Sequence, residues 1–117
     1  MSDSLSRSLA KEFAKQIVVL TEELQSPRKE YILSAQLLRS GTSIGANLHE
    51  AKYAQSSMDF ISKLEISLKE CYETEYWLEL LFETNFIEKQ RFEELFNTCG
   101  KIRRLLISSV KTTKNKL

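Results

Sequence analysis

Residues 39–81 read RSGTSIGANLHEAKYAQSSMDFISKLEISLKECYETEYWLELL, and this stretch decides the fold. Gly41 and Gly45 lie four apart in a run whose other residues suit a helix, so in a helix they share one face. Leu33, Leu37, Ile44, Leu48 and Ala51 fall within about 60° of one another at about 100° per residue, the core stripe of a helix expected over residues 28–54. Close approach of another backbone, on the side of Leu38, Thr42 and His49, is the physical reason to accept two poor helix formers there. The alternative is a loop at 40–46. No Lys-Ser/Thr pair follows Gly45, so this is not a phosphate-binding P-loop. After Gln55, Ser56 or Ser57 can cap a helix over 58–84, with Ile61, Leu64, Leu68, Cys71, Leu78 and Phe82 on one seam.

Upstream, Leu5, Leu9, Phe13, Ile17, Leu20 and Leu24 recur at three- and four-residue steps and make one face of a helix over 4–25. Ser26-Pro27 ends it, and Pro27 is expected in the first turn of the next helix, where a missing N–H costs nothing. Downstream, Asn85 supplies a turn. Phe92, Leu95, Phe96, Cys99, Ile102, Leu106 and Val110 then mark a helix over 88–112, followed by a frayed KTTKNKL tail. Short links between long helices imply antiparallel neighbours. The expected architecture is all-α, an antiparallel up-down-up-down four-helix bundle in a single domain spanning residues 1–117.

A chain with 42% hydrophobic and 28% charged residues is globular rather than disordered. No apolar run approaches the ~18 residues that span a bilayer, and the start lacks the apolar segment of a secretory signal. A cytoplasmic protein with no membrane partner is expected. Cys71 and Cys99 fall on core stripes, as small buried hydrophobes of a reducing compartment; the alternative is a disulfide between neighbouring helices. Charge is uneven: residues 56–84 carry two Lys against seven acids, and residues 85–117 carry eight Lys/Arg against three acids. Such helices can neutralise each other within or between subunits.

Arg39, Ser43, Asn47 and Glu50 form a polar stripe on the second helix, bordered by Ala35 and Ala46, which leave room for a docking helix. The far side of the third helix carries Ile66, Trp77 and Leu80 with Glu70 and Glu73 among them. A solitary bundle would expose these apolar side chains, and large exposed apolar patches mark interfaces. These nine residues are the candidate oligomer interface. Arg39 is the natural cation for Glu70 or Glu73, within one chain or across subunits, in a buried or interfacial polar network; the alternative is a solvated face. Glu75 falls on the core seam, where it is expected either to be paired, as with an Arg of the fourth helix, or to have a raised pKa.

Catalytic chemistry is not indicated. His49 is the single histidine, and a di-iron bundle needs two Glu-x-x-His motifs, whereas Ala46 stands three before His49. A zinc site needs more ligands than His49 and two separated cysteines provide. A Cys71–His49 nucleophile pair would have to join two different predicted faces. No enzyme activity, metal or cofactor is expected.

The block RSGTSIGANLHEA, with Arg39, Ser43-Ile44, Asn47 and Glu50-Ala51, followed by DFISKLEISLKECYETEYWLELL, resembles the bacterial four-helix-bundle family named for the intervening-sequence protein of 23S ribosomal RNA genes. The resemblance implies a bundle that assembles as a homopentameric ring. It also implies kinship with the accessory variability proteins of diversity-generating retroelements, which are basic pentamers that bind nucleic acid and a reverse transcriptase. With a sequence pI near 7.7, this chain is less basic than those proteins.

The functional expectation is a non-catalytic homo-oligomer that associates with RNA through Lys101, Arg103, Arg104, Lys111, Lys114 and Lys116, a run of seventeen residues that no acid interrupts. No aromatic interleaves these cations, so recognition would be of backbone or shape. The alternative is an oligomeric scaffold that binds another protein.

Overall fold

The computed structural model describes residues 2–117 as four helices: α1 (Ser2–Gln25), α2 (Ile32–Ala51), α3 (Ser57–Glu83) and α4 (Lys89–Asn115). Helices α1 and α3 each pack on α2 and α4, giving a square bundle about 49 Å long. Consecutive helices run antiparallel. Ser67 on α3 donates to the Ile44 carbonyl at 2.8 Å, and Thr74, further along α3, donates to Ser40, further back on α2, at 2.9 Å.

The core forms because each helix contributes one apolar stripe. Phe13 and Ile17 of α1, Leu37 and Ile44 of α2, Leu78 of α3 and Ile102 of α4 are wholly excluded from solvent. The stripe read for α1 shifts at its start: Leu5 is exposed, Leu9 is half-buried, and Ala10 and Thr21 are buried instead. Ala10 is drawn in because α2 presents Gly45 there.

Helix α2 is continuous through both glycines, so the loop at 40–46 does not form. The reason is contact with α1. A Cβ on Gly41 would lie 3.0 Å from Ile17 Cγ2, and one on Gly45 would lie 3.5 Å from Ala10 Cβ. Gly41 therefore lets α1 approach more closely than any side chain would allow.

The α1–α2 link departs from expectation. Helix α2 begins at Ile32, not 28, and Pro27 lies in the turn that closes α1. Lys29 adopts a left-handed φ of 58°, and the Glu30 N–H reaches back to the Leu24 carbonyl at 2.8 Å. The Glu30 carboxylate then accepts from the Ser34 N–H at 2.7 Å, satisfying a donor that the first turn of α2 leaves open. At its other end α2 stops at Ala51 rather than 54.

Ser56 is the cap of α3, accepting from the Asp59 N–H at 3.0 Å, while the Asp59 carboxylate accepts from the Gln55 N–H at 3.2 Å. Helix α3 ends in a Schellman turn. Asn85 sits at φ 69°, with the Phe86 N–H on the Leu81 carbonyl at 2.8 Å and the Asn85 N–H on the Phe82 carbonyl at 3.0 Å. The tail expected to fray is helical to Asn115, and Thr113 donates to the Ser109 carbonyl at 2.8 Å.

Candidate functional site

The polar stripe of α2 faces α3 in the same chain. Arg39 forms ion pairs with Glu70 at 3.4 Å and with Glu73. The Trp77 indole N–H donates to Glu73 at 2.9 Å. Along α2, Ser43 donates to the Arg39 carbonyl at 2.6 Å, Asn47 donates to the Ser43 carbonyl at 2.9 Å, and Glu50 pairs with Lys63 at 2.9 Å. The Trp77 bond and the Arg39 guanidinium hold the Glu73 carboxyl below its usual range, and Glu73 in turn raises Arg39.

This network is not buried within the chain: the Arg39 side chain is 49% exposed. The apolar side of α3 also differs from expectation. Ile66 is exposed, but Trp77 and Leu80 are half-buried, and Trp77 packs against the core. The exposed aromatic surface comes from residues the sequence reading missed, Tyr72 and Tyr76, 51% and 58% exposed. Tyr76 stands edge-on to Trp77, 5.1 Å between ring centres. Their signal was present in the CYETEYW run, where Tyr72 and Tyr76 are four apart.

Glu75 is buried on the core seam and accepts from Arg103 Nε at 2.9 Å, the pairing with α4 that its position requires. The Arg103 side chain also lies over the Tyr72 ring at 5.4 Å. Arg103 is thus committed internally and is not a free member of the basic set. Lys114 is likewise paired, with Glu65 at 3.2 Å. Lys101, Arg104, Lys111 and Lys116 are exposed and have no ion-pair partner among the described residues.

These free cations belong to a larger segregation of charge. Ser109 donates to the Asp3 carboxylate at 2.9 Å, Lys114 meets Glu65, and Lys63 meets Glu50. One end of the bundle is therefore built from the start of α1, the end of α2, the start of α3 and the end of α4. Residues 2–13, 43–70 and 101–117, which make this half, hold eleven Lys/Arg and six acids. All six acids have partners: Asp3, Glu12, Glu50, Glu65 and Glu70 bond Ser109, Lys15, Lys63, Lys114 and Arg39, and Asp59 accepts from the Gln55 N–H. The other half holds six Lys/Arg against ten acids.

A groove of about 750 Å³ opens between α1 and α2 on the basic half. Gly45, Ala46 and Ala14 keep it wide, and Arg7, Lys11 and Lys52 stand around it. His49 is exposed at the same groove, edge-on to Tyr53 at 5.7 Å, away from the buried Cys71. Both cysteines are buried free thiols, and the bond to Cys71 together with burial pushes the Cys99 thiol up. Among the described residues no cluster of three or more His, Cys, Asp or Glu could hold a metal, and no helix is long and apolar enough to cross a membrane.

A square all-α bundle with a polar α2–α3 seam and one basic end defines a small four-helix-bundle protein. The model of the 23S rRNA-intervening sequence protein family matches residues 3–108, and the chain belongs to that family. It is similar to a crystal structure of a protein with unknown function from the S23 ribosomal protein family of Bacteroides thetaiotaomicron VPI-5482. The two are 50% identical over 95% of this chain and 99% of that one, with a TM-score of 0.93. No curated protein matches the chain.

Proposed function

We propose that this protein is a non-catalytic homo-oligomer, a pentameric ring, that associates with ribosomal or other RNA through the basic end of α4. The observation that carries the RNA reading is the state of the α4 cations. Lys101, Arg104, Lys111 and Lys116 are exposed with no acid partner among the described residues, while the acids of that end are already engaged. Unpaired cations are the ones that release counterions when phosphate replaces solvent. The names of the family and of its crystallised member refer to ribosomal RNA and a ribosomal protein family, in the same direction. Self-assembly is supported by the α3 face: Ile66 and Tyr76 are exposed on the side of the half-exposed Arg39 network, the mixture of aromatic and Arg that anchors interfaces. Docking of a second subunit there would bury the Arg39–Glu70–Glu73 cluster.

Two measurements test this reading. Fluorescence anisotropy of labelled 23S rRNA fragments across a salt series is expected to show binding that weakens steeply with salt; no binding at low salt overturns the RNA association and turns attention to protein partners. Multi-angle light scattering of the wild type is expected to give five chains. Ile66→Lys, at a position already exposed in the single chain, is expected to give smaller species with unchanged helicity. A monomeric wild type removes the ring.

A further inference from the structure

We infer that the groove between α1 and α2 is a second part of the RNA path, holding backbone phosphates on Arg7, Lys11 and Lys52, an assignment that rests on the RNA reading above. Three observations converge on it. None of these cations has an ion-pair partner among the described residues, although Glu12 lines the groove with them and Glu50 lies close by in sequence; those carboxylates are paired with Lys15, also of the lining, and with Lys63. Arg7 and Lys11 are one turn apart on a single face of α1, a rise of about 6 Å that suits successive phosphates of a strand. Lys52 is the C-cap residue of α2 across the groove, so cations stand on both walls.

The groove also lies on the same half of the bundle as the free α4 cations. The Ser109–Asp3 bond fixes the start of α1 beside the last third of α4, and Gly45 fixes the end of α2 beside Ala10. The free α4 cations and the groove cations therefore stand at the same end of the bundle, on neighbouring helices. The groove walls offer mainly small side chains beside the cations, which fit a ribose-phosphate backbone, and the exposed His49 imidazole is the ring in the lining on which a base can stack. An acidic protein segment would meet the same charges. The second set of free cations on the neighbouring α4, at the same end, favours RNA.

The test is a comparison of two variants of the full chain by anisotropy with a labelled single-stranded RNA of random sequence and an rRNA hairpin. Arg7→Gln/Lys11→Gln/Lys52→Gln alters the groove. Lys101→Gln/Arg104→Gln/Lys111→Gln alters α4. All six residues lie on the surface, and circular dichroism checks that both variants remain folded. The groove variant is expected to bind about tenfold more weakly, with a log–log salt slope shallower by about two on single strands. A groove variant equal to wild type, with the α4 variant impaired, overturns the groove while leaving the RNA association standing. A wild type that binds no RNA overturns both. Polyglutamate displacing RNA through the groove cations at equal charge concentration overturns the assignment in favour of an acidic protein.

Discussion

At the scale of single residues, burial decides what each ion pair contributes. Arg39 is half-exposed, so its bonds to Glu70 and Glu73 are screened by water. Arg39→Ala is expected to lower the stability of the isolated chain by about 1 kcal/mol or less in urea denaturation. The Glu75–Arg103 pair is different because Glu75 is almost wholly enclosed. Arg103→Met strands that carboxylate and is expected to cost about 3 kcal/mol, whereas Arg103→Met with Glu75→Leu is expected to recover most of the loss. Equal stability of the single and double variants would remove the pair from the core ledger. Glu73 supplies the acid response. Its folded pKa is lowered by Trp77 and Arg39, so its stabilisation is present above the unfolded value of about 4.3 and is lost as pH falls through the folded value. Melting temperatures of wild type and Glu73→Gln are expected to differ at neutral pH and to converge near the acid end. A constant gap would contradict the assignment.

At the scale of elements, the two glycines of α2 have opposite tolerances. Gly41→Ala sets a methyl 3.0 Å from the fully buried, branched Ile17, and strain is expected to outweigh the gain in helix propensity, a net loss of about 1 kcal/mol. Gly45→Ala meets Ala10 at 3.5 Å, ordinary contact, and is expected to gain up to about 1 kcal/mol. Thermal melts of both variants check the pair of signs. Their spacing in the sequence showed that a helix approached closely; only the identity of the facing residues, Ile17 against Ala10, separates the two. The number and type of helices were legible for the same reason, since leucines and isoleucines at three- and four-residue steps admit one period. The start of α2 was not, because Pro27 is compatible with either a first turn or a closing turn, and the choice fell to the left-handed Lys29 and the side chain of Glu30. The half-burial of Trp77 was also hidden: its angular position on α3 lies far from the seam, but a large ring can fold back toward Glu73 and the core.

At the scale of the whole molecule, the pairing of charges matters more than their total. The net charge of +1 conceals two halves of opposite sign, and the sequence showed this only as an acidic third helix and a basic fourth. Which cations are free depended on contacts between helices, and these removed Arg103 and Lys114 while adding Arg7, Lys11 and Lys52. The bond from Ser109 to Asp3 has one more consequence, for the order in which the chain can be written. It holds the first turn of α1 against the last turns of α4, and α4 continues only about 9 Å past that point. A linker of about six flexible residues can therefore join α4 to α1, and the chain can be opened instead in the α2–α3 link at 53–55, where Tyr53 and Gln55 are exposed. This circular permutant, reading α3–α4–α1–α2, is expected to fold to the same bundle with an unchanged helical dichroism spectrum. Connectivity in this protein would then be interchangeable, with the specification of the fold lying in the four faces that meet.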